Sequence, residues 1–223
     1  TESNNDRIGD TSIMDLRNGM LVLEADGVTA TENFGNVELN RGASFLFLDS
    51  RDAGSASDGA ADITINSLSS TNGGVLFLMS PNSGTTFDAN APAANSGDTR
   101  VALTNTGSVT TVGNATGTTD RAVVLRVLGG VVDAPGTASV TRPGWSVENE
   151  LADRGTGAEL MTLDGGYLRP LLSTEFDTSA ADPASGTNWR IENRLGNAGA
   201  RAQTRNVTSD LTINSLTIDH ALS

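Results

Sequence analysis

The densest group of residues able to do chemistry is Glu148, Glu150 and Asp153, which follow closely on Trp145. A pair of carboxylates set across a sugar can hydrolyse or lyse a polysaccharide, one giving a proton while the other stays ionised. The competing reading is a solvated turn whose tryptophan caps or plugs the fold, and it is the one we favour. Trp145, Tyr167 and Trp189 could stack on sugar rings if they lined one exposed groove. With aromatics at 4% of the chain, anchoring roles in core or loops weigh more for each.

Other chemistries find less to work with. The one histidine, His220, stands near the end of the sequence, so a Ser-His-Asp triad or a multi-histidine metal site would depend on it alone. Asp-Gly steps at Asp26-Gly27, Asp58-Gly59 and Asp164-Gly165 lack the spacing of known calcium loops and read as turns. Asp49, Arg51 and Asp52 read as a salt-linked loop, and Asn114-Ala115-Thr116 and Asn206-Val207-Thr208 as turns. No metal and no cofactor is expected, and the chain is expected not to be an enzyme.

All 14 basic residues are Arg, against 27 acidic ones, for a net charge of -13. Such a surface repels phosphate backbones, so no nucleic-acid partner is expected, and it repels anionic membranes as well. The absence of Lys removes Schiff-base chemistry and Lys-based isopeptide crosslinks. With no Cys, neither disulfides nor thiolate metal sites hold the chain together, and backbone ladders and stacked side chains must do so. No apolar stretch approaches the roughly 20 residues of a membrane helix, so no membrane insertion is expected. Thr1-Glu2-Ser3-Asn4-Asn5 does not resemble a signal peptide, and the sequence reads as a piece of something longer.

The elements that must position these residues are short β runs, most opened by Gly. They include Gly19-Met20-Leu21-Val22-Leu23, Gly42 to Leu48, Gly74 to Met79, Ala122 to Leu128, Gly130-Val131-Val132 and Gly166-Tyr167-Leu168. The runs come in pairs: Phe34 to Leu39 leads through Asn40-Arg41-Gly42 into the Phe45 run, and Ile63-Thr64-Ile65 leads through Ser69 to Gly73 into the Val75 run. One phrase occurs twice, as Asp62-Ile63-Thr64-Ile65-Asn66-Ser67-Leu68 and Asp210-Leu211-Thr212-Ile213-Asn214-Ser215-Leu216. In it Ile63 and Ile65 share a face, Asn66-Ser67 turn a corner, and Leu68 points inward again. The only helical candidate is the short stretch from Trp145 to Leu151.

This pattern predicts an all-β chain, a parallel β-solenoid (β-helix) with loop insertions, forming one continuous segment over residues 1–223. The insertions are expected near 49–61, 80–99, 133–142 and 175–188, where Ala, Ser, Gly, Asn, Asp and Pro gather. With roughly 20 to 25 residues per coil the chain would make about eight to ten coils. The strand-like Leu216-Thr217-Ile218 should leave an edge to be continued by more chain or by a neighbouring molecule, which makes Leu216 and Ile218 candidate assembly residues.

Asp6-Arg7-Ile8-Gly9-Asp10-Thr11-Ser12, followed by Leu16-Arg17-Asn18-Gly19-Met20-Leu21, resembles the units of autotransporter-associated β-strand repeat proteins. In those units a short RIGD phrase leads into an L-x-G-G-x-L strand. Similar phrases continue through Ala158 to Leu171 and close with Asn206 to Leu216. The resemblance implies a right-handed parallel β-solenoid segment of a large protein outside the cell or on the outer surface of a bacterium, serving as stalk, fibre or filament. The partners expected are its own neighbouring repeats or end-to-end copies. An adhesin that binds glycans through inserted loops, and a polysaccharide-active β-helix enzyme, are the two alternatives.

Overall fold

The computed structural model describes residues 8–25, 29–49, 59–80, 99–131, 159–178, 182–193, 210 and 212–220. The first three strand pairs are β1 (Ile13–Arg17) with β2 (Met20–Glu24), β3 (Thr29–Arg41) with β4 (Ala43–Asp49), and β5 (Ala60–Ser70) with β6 (Val75–Ser80). Each pair turns through a residue of left-handed backbone: Asn18 at φ 55°, Gly42 at φ 70°, and Asn72-Gly73 at φ 50° and 82°. Asn and Gly tolerate this region where a β-branched residue would not, which is why each strand pair breaks there.

Next come β7 (Thr99–Leu103), β8 (Thr111–Val112), β9 (Val123–Val124), β10 (Val127–Val131), β11 (Glu159–Asp164), β12 (Tyr167–Pro170), β13 (Asn188–Asn193) and β14 (Ser215–His220). The expected strand from Ala122 to Leu128 is broken into β9 and β10 by a turn at Leu125-Arg126, with Arg126 at φ 65°. Single 3-10 turns lie at Thr106–Ser108 and Ser173–Glu175, and no α-helix occurs among the described residues.

The chain is all-β, and ten strands form one curled mixed sheet ordered β1-β3-β5-β7-β12-β11-β10-β6-β4-β2. First members of the strand pairs stack in parallel as β1-β3-β5-β7, and second members stack in parallel as β2-β4-β6-β10. The expectation of a uniformly parallel solenoid needs correction at the far end. There β12 runs antiparallel to β7, β11 antiparallel to β12, and β10 antiparallel to β11.

The cause is the Gly165-Gly166 turn, where both residues have positive φ, 58° and 93°. Two consecutive left-handed residues fold a strand back on itself with the twist a hairpin needs. The β11–β12 hairpin thereby pairs with the last strand of both ladders and closes that end of the sheet. At the other end the outer edges of β1 and β2 carry no strand among the described residues.

Coil length also differs from expectation. Register offsets are 23 residues from Ile13 to Asn36, 31 from Thr29 to Ala60, and 38 from Ala61 to Thr99. They lengthen across residues 50–58 and 81–98, and among the described residues each parallel ladder holds four strands. Most of the insertions expected near 49–61 and 80–99, and all of that near 133–142, lie outside the described residues. The bounding residues Ala60, Ala61, Ser80 and Thr99 are buried strand positions. The stretch 175–188 opens on buried Glu175 and closes on buried Asn188.

The core lies inside the curl. Ile63, Ile65 and Leu68 of β5 are buried, with the alternation slipping at Asn66-Ser67 as the corner reading requires. In β3 the same slip separates buried Phe34 from buried Val37 and Leu39. Leu46, Leu48, Leu76, Leu78, Val101, Met161 and Leu168 belong to the same cluster, each burial stabilising by about 1.5–3 kcal/mol. The second ladder is apolar on its other face too: Met20, Phe45 and Phe77 stand in register, as do Val22, Phe47 and Met79. The Phe45 and Phe77 rings stack with centroids 5.1 Å apart.

Candidate functional site

Polar side chains line the corners of the stack in order. Asn36 Oδ1 accepts from Asn66 Nδ2 at 3.1 Å and from Ser67 Oγ at 2.6 Å. Asn72 Nδ2 donates to Asn40 Oδ1 at 3.0 Å, and the Ala43 amide donates to Asn18 Oδ1 at 2.9 Å. Each bond joins one tier to the next, so the register of the ladder is written in side chains as well as backbone. A close approach of backbone accompanies them: a Cβ on Gly35 would lie 2.4 Å from the Ser12 carbonyl oxygen.

The same arrangement recurs in the two-stranded sheet of β13 and β14, which are parallel. Asn188 pairs with Ser215 and Trp189 with Leu216, just as Asn36 pairs with Ser67 and Val37 with Leu68. Ser215 Oγ donates to Asn188 Oδ1 at 2.8 Å, the counterpart of the Ser67 to Asn36 bond. Asn188 is fully buried, and its Nδ2 donates to the carbonyl of Arg121 at 2.8 Å and of Glu175 at 3.3 Å. Asn214 Nδ2 reaches the Asp120 carbonyl at 3.3 Å. These bonds tie the β13–β14 pair to the segment around 120 and to the turn at 175.

Beside Asn188 lies an ionic cluster that sequence reasoning missed. Arg169 grips Glu175 with two parallel bonds of 2.8 Å, and its Nε donates to Asp164 Oδ2 at 2.9 Å. Arg121 Nη2 contacts Asp164 Oδ1 at 2.9 Å, and its Nε donates to Thr162 Oγ1 at 3.2 Å. The Leu172 amide donates to Glu175 Oε2 at 2.8 Å. Burial pushes the Glu175 carboxyl up, but Arg169, the Leu172 amide and Arg121 together outweigh it and hold the group below its ordinary range. Arg169 likewise lowers Asp164, against a smaller upward push from burial.

Both carboxylates are thus ionised and occupied by guanidinium groups. Neither is poised to give a proton or attack a substrate, so this cluster braces the capping hairpin rather than performing acid–base chemistry. No signal in the sequence marks it, because Arg121, Asp164 and Glu175 come from separate elements and meet only through the fold.

The predicted site residues fall in different places. Trp145, with Glu148, Glu150 and Asp153, lies outside the described residues. Tyr167 is in β12, where the Arg100 guanidinium sits 5.1 Å from its ring centre and is itself paired with Asp62. Trp189 is in β13, in the two-stranded sheet with β14, and is 4% exposed, so its ring offers no open face to a sugar. Leu216 is 48% exposed on β14, and Ile218 lies in the same strand. Asp164 belongs to the ionic cluster, and the Gly165 that follows it forms the hairpin turn. Asn114 accepts from the Thr116 amide at 3.2 Å, a local turn as expected. Among the described residues no group of three or more His, Asp or Glu is placed to hold a metal ion.

Comparison of the chain with family models, curated proteins and solved structures finds no match in any of the three.

Proposed function

We propose that this chain is a structural module working outside a bacterial cell or on its outer surface, where it extends a stalk, fibre or filament. In this reading the parallel tiers are coils of a right-handed β-solenoid, the β11–β12 hairpin caps one end, and inserted loops are carried on its sides. Its partners are neighbouring repeats or further copies of itself, and it carries out no reaction.

The observation that carries the reading is the stack of Asn-linked parallel tiers, closed at β11–β12 and, among the described residues, open at β1 and β2. An open parallel edge is an invitation to pair, and proteins that stay monomeric cover or charge it. Here exposed apolar side chains stand beside it: Ile13 is 62%, Met20 47% and Val22 43% exposed.

Electron microscopy of the purified chain and of native cell-surface material tests the proposal. Threads with a regular axial repeat are expected in both. Compact particles at every concentration, with none in surface material, would overturn it.

A further inference from the structure

The phrase that folds as part of a ladder in β5 also occurs on an open edge. Among the described residues of its second copy only Ser215 and Leu216 are in strand, while Thr212, Ile213 and Asn214 lead into it. One edge of β14 pairs with β13, and the other carries no strand among the described residues. Because Asn188 and Ser215 reproduce the pairing of Asn36 and Ser67, β14 stands to β13 as β5 stands to β3. It is a ladder strand with an edge unused among the described residues, and its Leu216 is 48% exposed.

A matching unused edge lies on β1. There Ile13 pairs with Asn36, Met14 with Val37 and Leu16 with Leu39 on the inner side, and the outer side carries no strand among the described residues. Met14 and Leu16 pack at the margin of the core, half-buried, where one more tier would cover them.

We propose that β14 of one copy adds in parallel to the outer edge of β1 of a second copy, joining molecules head to tail. The register follows from the repeated phrase. Ser67 faces Asn36, which faces Ile13, so a strand of the Ser67 type stacked in this ladder brings Ser215 to the level of Ile13. Leu216 then falls opposite Met14, and Ile218 opposite Leu16. Apolar positions meet the rim of the core, and two exposed apolar edges are covered at once. A slip of one residue would turn Leu216 away from the core, so this register is specified rather than permissive. The proposal rests on the structural-module reading and names the surfaces through which that module joins.

The chain has no cysteine of its own, which makes a disulfide trap specific. One full-length variant, Met14→Cys, is mixed with another, Leu216→Cys, under oxidising conditions, and linked dimers are measured by non-reducing electrophoresis. Residues opposite one another in a parallel pair lie about 4.8 Å apart, within the reach of a disulfide. An off-register pair, Met14→Cys with Thr217→Cys, places the two sulfurs on opposite faces. At least about tenfold more mixed dimer from the first pair than from the second is expected. Equal yields from the two pairs would overturn the proposal. So would dimers formed mainly by Met14→Cys with itself, or no link at all while the unsubstituted chain associates in sedimentation. If threads are seen by microscopy but the trap stays empty, this junction falls and the module reading stands. If both fail, the module reading falls with it.

Discussion

At Glu175 two guanidinium groups and one backbone amide converge on a buried carboxylate, and the capping hairpin depends on the result. Glu175→Gln keeps the shape and removes the charge, leaving Arg169 without its main partner. We expect a loss of about 3 kcal/mol in urea unfolding, in the range of broken buried ion pairs. The acid limb of the stability curve should flatten in the same variant. Glu175 and Asp164 both have folded-state pKa values below their unfolded ones, so the unfolded chain binds more protons and stability rises with pH. Their contribution is complete above the unfolded values of about 4 and is lost as pH falls through the lower folded ones. Asp164 is 43% exposed, and solvent screening reduces its share. Unfolding midpoints between about pH 3 and 6 check this, and an unchanged acid limb in Glu175→Gln would place the titrating group elsewhere.

At the scale of the element, the corner decides whether tiers can stack. Gly35 lets the turn at residues 10–12 rest directly on β3, and a Cβ there would meet the carbonyl oxygens of Ser12 and Asp10 at 2.4 and 2.7 Å. Gly35→Ala should therefore cost about 1–3 kcal/mol, the usual range of overpacking, and should loosen β1 more than β5. Amide hydrogen exchange across the two strands distinguishes this local effect from general destabilisation. The strand pairs and their corners were legible in sequence, because the period of two and its slip at Asn66-Ser67 are local properties. The hairpin at Gly165-Gly166 was not. Tyr167-Leu168 carries the same Gly-opened apolar signature as a ladder strand, and only the pair of left-handed residues before it separates the two outcomes.

For the whole molecule, the net charge of -13 opposes any association of identical copies. Screening that repulsion should strengthen the proposed head-to-tail contact. Sedimentation velocity is expected to show more assembled material at about 0.5 M than at about 0.01 M salt, where the Debye length shrinks from about 30 Å to a few ångströms. Weaker assembly at high salt would mean that attraction between charges, not apolar edges, drives the contact. The amino-acid sequence alone determined that the chain is built of short β-strands joined at Asn and Gly corners, with no Cys or Lys chemistry to draw on. Those are consequences of composition and of side-chain alternation along a few residues. Only the tertiary structure decided that the ladders stop at an antiparallel cap, that Arg121, Arg169, Asp164 and Glu175 meet, that Trp189 is buried, and that Asn188 and Ser215 repeat the pairing of Asn36 and Ser67. Each of these depends on which strand lies beside which, and that choice is set by packing between residues tens of positions apart.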